Sequence, residues 1–239
     1  MSNHQILNPL THRELRVMVG ADPALGDGVM TCLVVPSEFR RLQNSFPILF
    51  RRDLESSLFS ALALMGFEQG ENLFFEEGRW NAAERPLALS IQPFLIGRPV
   101  HGDGPGQVHI DMSHPRISST GEGVRLFDDP GGHSPFLEAI TGQLGELDDG
   151  YHHSPDFFAA LRHHELLEPF SLDVDLADGS SHRMVGYHLI DEDRLRALDA
   201  GALGELHSAG HLMPIFMALA SLSNLSALIV RKNRRNARV

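Results

Sequence analysis

Apolar positions in this chain fall into short runs with abrupt ends, so most predicted elements are brief. Residues 31–36, "TCLVVP", read as a strand, and "SEFRRLQNSF" (37–46) reads as a helix with Ser37 as its cap and Pro47 as its stop. "PILFRRD" reads as a second strand. The apolar run that follows, "ESSLFSALALMGF", has a periodicity that fits helix and strand equally. Four further runs, "NLFFEE", "LALSIQPFLIG", "QVHIDM" and "VRLFDD", are strand-like and bounded by Gly, Pro or Asp. Their spacing predicts an antiparallel β meander or partial barrel.

The second half changes period. "SPFLEAITGQLGEL" (134–147) and "SPDFFAALRHHELL" (154–167) each open on Ser-Pro, a cap followed by a proline suited to the first helical turn. Between 170 and 189 the alternation returns. Phe170, Leu172, Val174 and Leu176 mark one buried face, Asp178-Gly179 the turn, and Val185, Tyr187 and Leu189 the return strand, which together predict a hairpin. Asp191 is placed to cap the helix after it, and residues 212–230 are apolar enough for a long terminal helix. The predicted class is α+β: an antiparallel meander or partial barrel, C-terminal helices and an additional β-hairpin. One domain over 1–239 is expected, with a loop-rich segment at 1–30 and a basic tail at 231–239.

Composition narrows the function. With 42% hydrophobic residues and 21% charged the chain is an ordinary globular sequence, and its 31 acidic against 20 basic side chains give a net charge of −11. That balance argues against a nucleic-acid partner. Five of the 20 cations lie in "RKNRRNARV" (231–239), which reads as a solvated end or a contact for anionic lipid, nucleic acid or the protein's own acidic surface. The lone Cys32 forms no internal disulfide and supports no cysteine-based zinc site. The first residues lack the charged-then-apolar pattern of an export signal, so the cytoplasm is the expected compartment. Residues 212–230 approach the length of a membrane span, but Pro214, Ser221, Ser223, Asn224 and Ser226 favour a buried soluble helix, and membrane contact is not expected.

Candidate chemistry is sparse. His109 and Asp111 alternate on a predicted strand and face the same way, as two ligands of a 2-His-1-carboxylate iron site would, with His152 or His153 supplying the third. His153 completes the candidate set, and Arg162 is the candidate partner for a 2-oxoglutarate carboxylate. His207 and His211 are four apart, but Gly204 and Gly210 weaken a shared helix, so surface or capping roles are expected. "RHHE" (162–165) reads as the polar face of a helix. "GDGPG" (102–106) lacks the lysine and helix of a phosphate-binding loop. The adjacent acids Glu76-Glu77 and Asp128-Asp129 read as turn residues.

Residues 69–80, "QGENLFFEEGRW", carry a Glu-Asn pair between Gly70 and Gly78 that suits backbone-tying turns. Asn72, Arg79 and Trp80 are the candidate ligand-binding residues should a pocket open there. With "VVPSEFRRLQNSFPILF", "LMGFEQGENLFFEEGRW", "IQPF", "GVRLFDDPGGHSPFL" and "LLEPFSLDVDLADGSSHRMVGYHLIDEDRL" in that order, the chain resembles the SapC-like family of bacterial proteins over nearly its whole length. Phe46-Pro47 stands where the family has Tyr-Pro, and Ile91-Gln92-Pro93-Phe94 where it has a basic residue before Tyr-Pro-Phe, which marks a diverged member.

The resemblance implies no catalytic residues. Similar proteins are encoded beside outer-membrane TonB-dependent receptors, flavin-dependent halogenase-like proteins and cupin-like proteins. That implies a non-catalytic binding or accessory protein of a nutrient-uptake locus, taking a small molecule or partner protein and no cofactor. Two alternatives stand beside it: an Fe(II)/2-oxoglutarate-type oxygenase using His109 and Asp111, and a surface-layer or membrane-associated component.

Overall fold

Most elements obey the local rules that the sequence displays. A computed structural model describes residues 3–76, 78–98, 106–129 and 131–238. Residues 102–105 of the glycine-rich loop, and Glu77 of one acid pair, lie outside the described residues. The strands are β1 (His4–Ile6), β2 (Arg16–Val17), β3 (Thr31–Val34), β4 (Ile48–Arg52), β5 (Phe59–Leu64), β6 (Phe75–Glu76), β7 (Arg79–Trp80), β8 (Phe94–Gly97), β9 (Gln107–Asp111), β10 (Val124–Arg125), β11 (Leu167–Asp175) and β12 (Ser181–Ile190). The helices are α1 (Phe39–Leu42), α2 (Leu87–Ser90), α3 (Pro135–His163), α4 (Glu192–Arg196), α5 (Ala200–Ser208), α6 (Leu212–Ser221) and α7 (Asn224–Asn236). The protein is α+β, with open antiparallel sheets and C-terminal helices and without a closed barrel among the described residues.

The chain packs into two compact units. The first holds the described residues of Met1–Gly28, Phe75–Trp80 and Leu87–Asp149, and the second those of Val29–Phe74, Asn81–Pro86 and Gly150–Val239. In the first, β1-β9-β8 form a three-stranded sheet, and β10-β2 and β6-β7 form two-stranded ladders. Val17, Phe94, Ile110, Leu126, Leu137 and Leu144 are among its core residues. "LALSIQPFLIG" is not one strand: its first part is the helical turn α2, and a cis Gln92–Pro93 bond precedes β8.

The second unit is built on a five-stranded sheet in the order β11-β12-β4-β5-β3. The ambiguous run resolves as β5. It is paired on one edge with β4 and on the other with β3, and Ala61–Leu64 are buried, so a continuous apolar stretch is what this position needs. Phe39 of α1 meets the rings of Phe50 and Phe157 at 6.3 and 6.0 Å. The helix expected over 37–46 is shorter than its pattern. Pro36 opens a 3-10 turn, and the Glu38 carboxylate, not Ser37, accepts the Val35 N–H at 3.1 Å.

Two other expectations change. The two Ser-Pro helices are one 29-residue helix, α3, with Pro155 inside it. Ser134 caps its start, its Oγ accepting from Leu137 N at 3.3 Å, but Ser154 Oγ donates to Gly150 O within the helix. An interior proline costs about 3 kcal/mol. Burial of Phe157 and Leu161, two and six residues further on, offsets that cost.

The hairpin forms as expected, and Asp191 caps α4 through Arg194 N at 2.9 Å. Its return strand carries a bulge. Phe170 pairs with Tyr187 and Leu172 with Met184, so Val185 and Gly186 together oppose Ser171. Gly186 has φ +83°, a left-handed conformation that suits glycine. The extra residue turns Met184 and Tyr187 inward and leaves Val185 exposed.

Candidate functional site

The stretch after β5 closes into a loop tied by its own side chains. Leu73 N donates to Met65 O at 2.8 Å, and Glu71 N to Glu68 O at 3.1 Å. Glu71 Oε2 accepts from Phe67 N at 2.9 Å, and Asn72 Oδ1 from Phe74 N at 3.0 Å. Gly66 is required at the neck of the loop, because a Cβ there would lie 2.8 Å from the Glu71 carbonyl oxygen. Glu71 and Asn72 are both buried and serve the backbone, as the turn chemistry of "GEN" suggests.

The end of the chain completes this cluster. Lys232, buried on α7, places Nζ 2.8 Å from Glu71 Oε1 and 2.6 Å from Glu68 Oε1. His182 Nε2 lies 3.3 Å from the same Glu68 oxygen, and its ring stacks on Phe67. Arg235 donates to Asn72 O at 3.1 Å, and the Arg231 guanidinium sits 4.6 Å above the Phe74 ring. The cations of 231–239 are therefore largely helical and used internally, and the tail is not simply a solvated end.

Charge in this cluster is balanced. Burial alone would lower the Lys232 pKa, but the hydrogen bonds and charges of Glu68 and Glu71 outweigh it and raise the group above its ordinary value. The hydrogen bond from Lys232 holds Glu68 below the usual carboxylate range. An ammonium kept protonated is no nucleophile. The arrangement ties two distant segments together.

A second buried pair lies in the first unit. Arg116 Nη2 donates to Asp27 Oδ2 at 2.6 Å, with both side chains almost wholly buried. Arg116 Nη1 also donates to Met18 O and Gly20 O, while Asp27 Oδ2 accepts Asp22 N. One guanidinium thus fastens three backbone segments.

The sequence candidates belong to different units. Asn72 belongs to the second unit, and Arg79 and Trp80 belong to the first. Arg79 is exposed, and Trp80 packs edge-on against Phe75 in the β6-β7 ladder at 5.5 Å. His109 and Asp111 lie on β9 on either side of the inward-facing Ile110, in the register His4↔Asp111 and Ile6↔His109.

Asp111 Oδ1 accepts from Ser113 Oγ at 2.6 Å, Ser113 N at 2.9 Å and Asn3 N at 3.0 Å. Those bonds, that of the Ser113 hydroxyl foremost, bring its pKa down to about 2. His153 is a residue of α3 within the second unit. His207 lies in α5 and His211 just before α6, so they share no helix. His211 packs against Phe157 at 5.6 Å, and burial lowers its pKa against the opposing pull of Asp156.

Lys232, Arg235 and His182 were not among the sequence candidates. One signal was present: Leu228 and Lys232 are four apart, so the buried stripe of the terminal helix runs on through a charged residue.

Open antiparallel sheets, one long bulged hairpin and a C-terminal helix locked onto a Glu-Asn loop define an α+β protein whose buried charges are internally paired. A model of the SapC family matches residues 7–228, and the chain belongs to that family. No curated protein and no solved structure matches it.

Proposed function

We propose that this chain is a non-catalytic binding or accessory protein of a bacterial nutrient-uptake locus, acting in the cytoplasm on a small molecule or partner protein of that locus. One observation carries the reading. The buried acidic, basic and histidine side chains among the described residues, His12, Asp27, Glu38, Glu71, Arg116 and Lys232, each already bond the protein's own groups. Catalytic acids and bases are usually buried or cleft-bound groups left poised for substrate. Here the buried set is spent on structure.

The test loads the full chain with Fe(II) anaerobically and then supplies 2-oxoglutarate and O2, beside affinity isolation from the native cell. The reading expects no succinate and a co-isolated product of the same locus. Succinate formation that stops in His109→Ala and Asp111→Ala would overturn it in favour of the oxygenase.

A second reading, a membrane-associated component, has its own support. Leu212–Asn236, the span of α6 and α7, is long and apolar enough to cross a membrane by length and composition, and less than a quarter of its most apolar stretch is buried. Met213, Phe216 and Val230 are exposed along it. Fractionation separates the readings: the accessory protein stays in the soluble extract, and the membrane component sediments with lipid.

A further inference from the structure

We propose that His163, His164 and Glu205 form a binding site for a divalent transition-metal ion of the zinc class, independent of the function above. One donor atom from each lies within 4.8 Å of the other two. His164 Nε2 is 3.6 Å from Glu205 Oε2, and the two imidazole rings are 4.8 Å apart at 73°. Consecutive positions on a continuing helix diverge by about 100°, so neighbouring imidazoles do not ordinarily converge.

They meet here at a fixed helix end. His164 N still donates to Ala160 O, Glu165 turns left-handed at φ +53°, and Leu166 N closes back onto Leu161 O. The third donor comes from α5, held in register by the Asp199 cap on Ala202 N and by the buried Leu206 beside Glu205. The competing charges are occupied, since Arg194 pairs with Glu165 at 2.6 Å.

The donor chemistry selects the ion. Two imidazoles and one carboxylate suit Zn²⁺, Co²⁺, Ni²⁺ or Cu²⁺, whereas Ca²⁺ and Mg²⁺ take oxygen shells. Metal–ligand bonds of about 2.0–2.2 Å in a tetrahedron place donors roughly 3.4 Å apart. His164 is held at 11% side-chain exposure, while the Glu205 side chain is 70% exposed. Rotation of Glu205 and of the exposed His163 closes the remaining gap. Three protein donors leave a position for water.

The test titrates the purified full chain with Co²⁺, read by its visible absorption, and with Zn²⁺ by calorimetry. One equivalent is expected. Each of His163→Ala and Glu205→Gln, both at exposed side chains, weakens it by at least about 10-fold, the loss that even an outer-shell partner produces. His164→Ala does the same, with circular dichroism verifying its fold. His207→Ala and His109→Ala leave binding unchanged. Binding that survives His163→Ala and Glu205→Gln, or no equivalent bound at all, overturns the site.

Discussion

Replacing Glu71 by Gln keeps the shape of a buried side chain and removes its charge, which isolates the Lys232 contact. The Gln carbonyl can still accept Phe67 N, but its amide then faces the Lys232 ammonium where an oxygen stood at 2.8 Å. Breaking a buried ion pair costs about 3–5 kcal/mol. Glu68 remains 2.6 Å from Lys232 and its side chain is 51% exposed, so it retains part of the ammonium's solvation. The expected loss for Glu71→Gln is therefore about 2 kcal/mol, and for the half-exposed Glu68→Gln under about 1 kcal/mol.

Urea denaturation of the full chain followed by circular dichroism reads this directly. At a slope of about 2 kcal/mol/M, Glu71→Gln lowers the midpoint by about 1 M. Lys232→Met also destabilises, and the double variant loses less than the sum by at least about 1 kcal/mol, because each single change strands the other's partner. Additivity within about 0.5 kcal/mol would refute the reasoning.

The pH dependence has a definite sign. Lys232 is raised above 10.5, so its contribution is complete below that value and disappears as pH climbs through the folded pKa. Glu68 is lowered from 4.5, so its contribution is present above that value and disappears as pH falls through the folded pKa.

Other expectations follow from the same geometry. Asp27→Asn leaves the buried Arg116 guanidinium without a charged partner and costs about 3 kcal/mol in urea unfolding; a loss under about 1 kcal/mol would show the charge pair to be dispensable. NMR titration of the Asp111 carboxyl should give a pKa of about 2, rising towards 3.8 in Ser113→Ala, so its stabilising effect fades only as pH drops from 3.8 through about 2. A wild-type value near 3.8 would contradict those hydrogen bonds. Gly186→Ala forces a side chain into φ +83° and should cost about 1 kcal/mol; an unchanged urea midpoint would mean the bulge is not needed.

Features set by near neighbours were legible in the chain, and features set by distant ones were not. The Phe170–Leu176 alternation, the Asp178-Gly179 turn, the Ser134 cap and the Asp191 cap each depend on residues within about ten positions, and each stands in the fold. Ser154-Pro155 misleads because it carries every local mark of a helix start. Tertiary burial of Phe157 and Leu161 keeps α3 running through it. The bulge was invisible because strict alternation does not register one inserted residue.

Of the candidate site, the local part was readable: Glu71 and Asn72 tie their own turn. Lys232, the partner of Glu71, lies 161 residues away, and no spacing rule reaches that far. The expected metal set paired a strand with a helix of the other unit. The convergent donors instead arise where α3 ends, a position that periodicity marks only as polar.

Native mass spectrometry of the chain isolated from its own cell tests the proposed role most directly. The account predicts a mass above that of the denatured polypeptide by a fixed increment larger than a metal ion, from a locus-derived small molecule or protein. That increment persists in His109→Ala and Asp111→Ala. A bare chain, or an increment that disappears with either substitution, would contradict it.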